Sequence, residues 1–277
     1  MNLLDRIISF KKKEVQNKKI LFPIKTLEKS SFFERKIFSL KENLKNSENG
    51  VIAEFKLKSP SRGIINHKAS LNDIIKNYEK AGVSGISVLT DYYFFLGKDE
   101  NMKRSRSLVS IPLLRKDFII DEYQILESKS IGSDVILLIA KILEKKKIEH
   151  LSYFAKRIGL EVILEIHEEH EIEKITNHID MIGINNRNLN NFEVDKNGSF
   201  KLCSKIPKHY IKIAESGIDS IYDIITLEKN GFQGFLIGEF FMKKKDPGVF
   251  CQNFITFLMQ KKNEIKNTKN KSLRSKI

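Results

Sequence analysis

The stretch VIAEFKLKSPSRG, residues 51–63, begins as an apolar run and ends in a turn. Val51–Phe55 reads as a short buried strand, rich in β-branched and aromatic residues. Glu54, Lys56 and Lys58 fall at alternate positions, so an extended chain projects all three to one face. A strand buried on both sides has no use for three charges. The run therefore has to end where charges are needed, and Ser59, Pro60, Ser61 and Gly63 supply the turn that follows.

Seven more runs of this kind follow: GISVLT from Gly85, IPLLRKDF from Ile111, DVILLIA from Asp134, LEVILEI from Leu160, MIGINN from Met181, YIKIAES from Tyr210 and GFLIGE from Gly234. Their starts are 21 to 34 residues apart. Helix-like segments separate them: LNDIIKNYEKAG, EYQILESKSIG, LEKKKIEHLSYFAKRIG, EEHEIEKITNH and IYDIITLEKNG, several stopping at glycine. Near-continuous apolar strands alternating with helices are the pattern of parallel βα units. Eight units predict an α/β fold, a (β/α)8 TIM barrel. An open doubly wound sheet needs fewer strands, and no glycine-rich dinucleotide turn follows the first one. Residues 1–50 then form an extra N-terminal helical segment, residues 51–260 the barrel, and residues 261–277 a basic tail expected to be disordered.

The 277 residues carry a formal charge of +14, of which the last 17 residues supply +6. Elsewhere lysines are interspersed with acids, without the aromatic–basic alternation of a base-stacking platform, so nucleic acid is not an expected partner. No apolar run reaches the length of a membrane span. The start, MNLLDRIISFKKKEVQNKK, has the spacing of an amphipathic helix and lacks the order of a signal peptide. Two cysteines, Cys203 and Cys251, suggest neither a disulfide framework nor a cysteine metal site. These features predict a cytoplasmic chain, monomeric or weakly homo-oligomeric, that does not associate with membranes.

In such a barrel the reacting groups sit at the C-terminal strand ends and in the loops after them. Six of the eight predicted strands end in polar groups. The first brings Glu54, Lys56 and Lys58, the third Lys116, the fifth Glu165. The sixth brings Asn185 and Arg187, the seventh Glu215 and Ser216, the eighth Gly238 and Glu239. Any one of these describes a solvated loop, and Lys58 and Glu239 alone read as surface or supporting groups. Convergence on one mouth describes a site. AESGI sets Ser216 and Gly217 directly after strand seven, and LIGEFF sets Gly238 after strand eight, where barrels hold phosphate on backbone N–H groups. Ser59 in SPSRG adds a hydroxyl. The apolar LEVIL before Glu165 predicts a desolvated carboxyl of raised pKa, and cations around Lys116 predict a lowered one for its ammonium. Glu215, beside the phosphate loop, is expected to pair with Lys56 or Arg187.

The segments IAEFKLKSPSRG, SVLTD, LLRKDFIIDEYQI, LEVILEIH, IGINNRNL, IAESGI and FLIGEFFM, in this order and spacing over about Leu3 to Phe257, resemble the motif series of the indole-3-glycerol-phosphate synthase family. The resemblance implies ring closure of 1-(2-carboxyphenylamino)-1-deoxyribulose 5-phosphate in tryptophan biosynthesis. Carbon dioxide and water are lost, and neither cofactor nor metal is used. It implies Lys116 as general acid toward the substrate carbonyl, Glu165 as the second proton-transfer group, Lys56 as partner of the substrate carboxylate and Glu54 as the carboxylate that orients the lysines. Asn185 and Glu215 complete the implied catalytic group, and Ser59, Arg187, Ser216, Gly217 and Gly238 the substrate and phosphate contacts. After SVLTD the family has a small polar or glycine residue and then Gly-Ser, whereas this chain has YYFFLGKDE. A rival phosphate-binding barrel, phosphoribosylanthranilate isomerase, needs a Cys/Asp acid–base pair at strand ends, but Cys203 and Cys251 fall in predicted helices.

Overall fold

The computed structural model describes residues 3–187 and 192–274, with side chains described to residue 268. Eight parallel strands run as expected: β1 Val51–Phe55, β2 Gly85–Leu89, β3 Leu113–Lys116, β4 Val135–Ile139, β5 Glu161–Ile166, β6 Met181–Asn185, β7 Ile211–Glu215 and β8 Gly234–Ile237. They pair in chain order, and β8 closes on β1 to complete the barrel.

Two apolar layers follow from the two-residue period of a strand. Ala53, Phe55, Ile86, Val88, Ile136, Leu138, Val162, Leu164, Ile182 and Ile184 face outward and pack under the surrounding helices. Ile52, Leu114, Val135, Leu137, Ile163, Met181, Ile213 and Leu236 fill the barrel interior. One pleat further along the same inner face stand Glu54, Lys116, Glu165, Asn185 and Glu215. The register sets Asn185 beside Glu215 and Lys116 beside Leu89. The polar ring thus rests on an apolar floor.

The N-terminal segment is helical, as expected: α1 Leu3–Leu21, α2 Ile24–Glu28 and α3 Leu40–Asn46. Leu40 and Leu44 plug the lower end of the barrel, while Leu4 and Ile7 pack at its mouth. Both ends of the segment are tied by buried charges. Below, the Asp134 carboxylate accepts from Arg35 (2.6 Å), Arg106 (2.8 Å) and the backbone N–H groups of Phe38 and Leu113. Above, Lys11, 1% exposed, pairs with Asp117 (2.9 Å) and Asp91 (3.0 Å). Next to it Lys18 pairs with Asp99 and Glu127, and Arg115 with Glu127, Asp117 and Asp99. Buried charges require such partners, because losing one leaves its opposite desolvated and alone.

Two expectations are corrected. EEHEIEKITNH forms only a short 3-10 turn, Glu169–Lys174, where an α-helix was expected. The buried Glu171 carboxylate folds back to accept from the N–H groups of His167 and Glu168, which holds the tighter turn. The terminal helix Pro247–Arg274 passes through residue 261, where a disordered tail was expected to begin. Its inward stripe of Phe254, Ile255, Leu258 and Ile265 continues past that point. The buried Lys262 donates to Glu48 O at 2.7 Å and to Glu228 Oε1 at 3.0 Å. Residues 275–277 lie outside the described residues. No helix among the described residues is long and apolar enough to cross a membrane.

Candidate active site

A cavity of about 540 Å³ opens at the C-terminal end of the barrel. Glu54, Lys56, Ser59, Lys116, Glu165, Asn185, Arg187, Glu215, Ser216, Gly217 and Gly238 all line it. Every site residue expected from sequence is therefore brought to one space, while Lys58, read from sequence as a surface or supporting group, stands apart. Lys58 leaves the cavity for a two-residue hairpin and donates to Tyr93 O at 3.5 Å. β1 ends at Phe55, and the turn that follows breaks the alternation that would have kept Lys58 in line.

At the centre, the Lys116 ammonium bridges two carboxylates. It lies 3.3 Å from Glu165 Oε2 and touches Glu215 Oε2 more closely. Asn185 Nδ2 donates to Glu165 Oε1 at 3.1 Å, and Asn185 Oδ1 accepts from Arg187 N at 3.0 Å. At the end of β1 Lys56 Nζ meets Glu54 Oε1 at 2.6 Å. Two glycines make room for these acids. A Cβ on Gly183 would occupy the place of the Glu215 carboxylate, and one on Gly238 that of Glu54.

The electrostatics reverse two expectations. Burial opposes the charge on Lys116, but Glu215 and Glu165 outweigh it and hold the ammonium well above its ordinary range. The charges that act on it most strongly are the acids Glu215, Glu165 and Glu54, where cations were expected. Burial alone would raise Glu165, yet Lys116, His167 and Asn185 together bring it below the usual carboxylate range. Glu215 takes the opposite course. Desolvation pushes it up to about 8, reinforced by Glu165 and Glu54 and only partly countered by Lys116. Its Oε1 has no hydrogen-bond partner among the described residues, whereas Glu165 has donors on both oxygens. Two carboxylates sharing one ammonium titrate as a pair, and the one with an unpartnered oxygen is the one pushed up. Glu215 therefore pairs with Lys116, and neither Lys56 nor Arg187 serves it.

The phosphate-type rim is built from backbone. Ser216 and Gly217 both take positive φ, 68° and 70°, just after β7. Asn186 holds this loop: its Nδ2 donates to Ser216 O at 2.7 Å and its N–H to Glu215 O at 2.8 Å. Around the rim Glu239 gathers Arg62 (3.1 Å), Arg187 (3.6 Å) and Lys243. This cationic group suits a phosphate, and Arg62 and Lys243 were hidden in sequence among 49 cations. The other wall is apolar: Leu4, Ile7, Leu89, Phe95, Phe118 and Leu137, with the Phe95 and Phe118 ring centroids 6.2 Å apart. Phe95 comes from YYFFLGKDE. There Asp91 caps the turn Tyr92–Phe95, Leu96 takes φ 56°, and Gly97 lies against the backbone of Leu89 and Thr90, where a side chain has no room.

Fold and site are those of a (β/α)8 barrel enzyme whose mouth is suited to acid–base chemistry on an anionic small molecule. The family model for indole-3-glycerol phosphate synthase matches residues 4–254. The indole-3-glycerol phosphate synthase of Bacteroides thetaiotaomicron is 43% identical over 254 residues, covering 92% of this chain and 98% of that protein. That of Caldanaerobacter subterraneus subsp. tengcongensis is 45% identical over 242 residues, covering 87% and 93%. The chain belongs to the indole-3-glycerol phosphate synthase family. A solved structure of a mutant tryptophan synthase alpha-subunit from Pyrococcus furiosus superposes with a TM-score of 0.58 at 14% identity, covering 76% of this chain and 98% of that one, a likeness of fold.

Proposed function

We propose that this chain closes the indole ring of 1-(2-carboxyphenylamino)-1-deoxyribulose 5-phosphate, releasing carbon dioxide and water, as a cytoplasmic carboxy-lyase of tryptophan biosynthesis. The observation that carries the reading is the Lys116 ammonium held between Glu165 and Glu215 in a cavity with a glycine- and serine-built cationic rim.

Each residue has a task that its surroundings suit. The ring carbon bearing the carboxylate attacks the ketone, and Lys116 gives a proton to the carbonyl oxygen as the bond forms. Carbon dioxide then leaves, and its electron pair restores the aromatic ring. Lys56 holds the substrate carboxylate until that step, with Glu54 fixing the lysine. Glu215, protonated near neutral pH, reloads Lys116. The new hydroxyl leaves as water with a second proton, and the adjacent methylene loses one to the ionised Glu165, which completes the indole. Held ionised by its neighbours, Glu165 is free to accept a proton, where a raised pKa was expected from its apolar strand. Arg187, Ser59, Ser216, Gly217 and Gly238 hold the phosphate end. Phe95, Phe118, Leu4 and Ile7 pack against the aromatic end.

Mixing the purified chain with the carboxyphenylamino-deoxyribulose phosphate and following indole fluorescence tests the reading. A rise in fluorescence that scales with protein concentration is expected, and its absence from folded protein refutes the assignment.

A further inference from the structure

Beside Glu165 lies a second titratable side chain that does not line the cavity. The His167 side chain is 5% exposed, with Nε2 3.3 Å from Glu165 Oε1. Among the described residues neither of its ring nitrogens makes a hydrogen bond, although both are buried. Buried polar atoms are ordinarily satisfied, so an orphaned imidazole next to a reacting carboxylate calls for a reason. A merely structural histidine would turn a ring N–H to a carbonyl or hydroxyl. This one has a carboxylate oxygen as its near neighbour.

Glu165 Oε1 has room for it. The oxygen accepts from Asn185 Nδ2 at 3.1 Å, and Oε2 faces Lys116, which leaves one lone pair of Oε1 unused. The His167 backbone is pinned where β5 ends, because its N–H donates to Glu171 Oε2 at 2.6 Å. At 3.3 Å, Nε2 already lies within hydrogen-bond distance of Oε1. The charged groups around the pair are Lys116 and Glu215 across Glu165, Glu171 at the backbone, and Glu168 with its partner Lys141 (3.0 Å).

We propose that His167 is a positioning residue for Glu165, its Nε2–H turning onto Oε1 to aim the carboxylate at the proton it removes. This rests on the role given to Glu165 above. Asn185 and Lys116 then fix two directions of the carboxylate plane and His167 a third, so the acid cannot swing toward Glu215 when Lys116 gives up its proton. Burial raises Glu165, and His167 is, after Lys116, among the neighbours that bring it below the usual carboxylate range.

The test is a pair of variants. His167→Phe keeps a ring of similar size and removes the donor. It is expected to lower kcat about tenfold or more, the scale of a small misplacement of a reacting group, with KM within about twofold. The acid limb of the kcat profile is expected to move to higher pH, because Glu165 loses a group that favours its ionised form. His167→Gln, which keeps an N–H donor, is expected to recover most of the loss and return the limb. Nitrogen-15 spectra of the unmodified chain with bound indole-3-glycerol phosphate add an independent readout, in which Nε2 should carry the proton. Wild-type kcat and limb in the Phe variant overturn the proposal, as does equal loss in both variants with an unmoved limb, or an unprotonated Nε2. A wild-type chain without any turnover would instead refute the proposed reaction.

Discussion

Replacing Glu215 by Gln removes one proton and leaves the shape. Its carboxyl is wholly buried and pushed up to about 8, first by desolvation and then by Glu165 and Glu54. At pH 7 it is therefore about 90% protonated, and at pH 9 about 10%. If its proton reloads Lys116, wild-type kcat falls about tenfold per pH unit above pH 8. In the Gln variant that limb should vanish, and the rate at pH 7 should drop by about 10²-fold, the low end of a general acid's contribution. Stability gives a second readout. A carboxyl whose folded pKa lies above its unfolded value binds more protons in the native state between about 4.5 and 8. Wild-type stability then declines as pH rises through that window, by up to about 1.4 kcal/mol per unit. Gln does not titrate, so the Tm of the variant minus that of wild type should grow steadily from pH 5 to pH 8. The assays are indole fluorescence against pH and thermal melts in the same buffers. A basic limb near pH 8 that survives in the Gln variant, together with a constant Tm difference, would refute the reasoning.

Four further outcomes are expected. Lys116→Ala should keep a native circular dichroism spectrum and lose about 10²–10⁴-fold in kcat; near-normal turnover would remove it from the chemistry. Glu165→Gln should abolish the acid limb of kcat with a modest change in KM. Lys11→Met leaves Asp91 without its cation and Asp117 with Arg115 alone, and should cost about 3–5 kcal/mol in denaturant melts; a loss below about 1 kcal/mol would show that Asp91 finds another partner. Ending the chain at Lys261 removes the Lys262 bonds to Glu48 and Glu228 and should lower stability by about 1 kcal/mol, while turnover stays normal.

The barrel was legible because each strand is a short apolar run with its own turn, and the period of two then assigns an inner face. Glu54, Lys116, Glu165, Asn185 and Glu215 are inner-face residues at strand ends, so sequence located them before any coordinate did. Their partners were not legible. Whether Lys116 lies among acids or cations depends on which side chains three separate strands bring together, and no local pattern encodes that. Hence the carboxylate expected to be raised, Glu165, is lowered by three neighbours, and the one expected to be an anchored anion, Glu215, keeps its proton. His167 was also beyond reach, since it differs from a surface histidine only by where the chain folds after Ile166. Leu4, Ile7 and Lys11 read simply as faces of an amphipathic helix. Lys262 looked like one more basic tail residue, although the apolar stripe through Leu258 and Ile265 already carried the helix past it.

The docking of α1 sets an order of events during synthesis. Lys11 leaves the ribosome before its partners Asp91 and Asp117, which come 80 and 106 residues later. At about 5–20 residues per second, the helix waits roughly 5–20 seconds for the second of them. Throughout that interval Leu4, Ile7 and Val15 have no barrel to cover them and Lys11 remains in water. The segment that roofs the finished cavity is therefore made well before the residues that secure it.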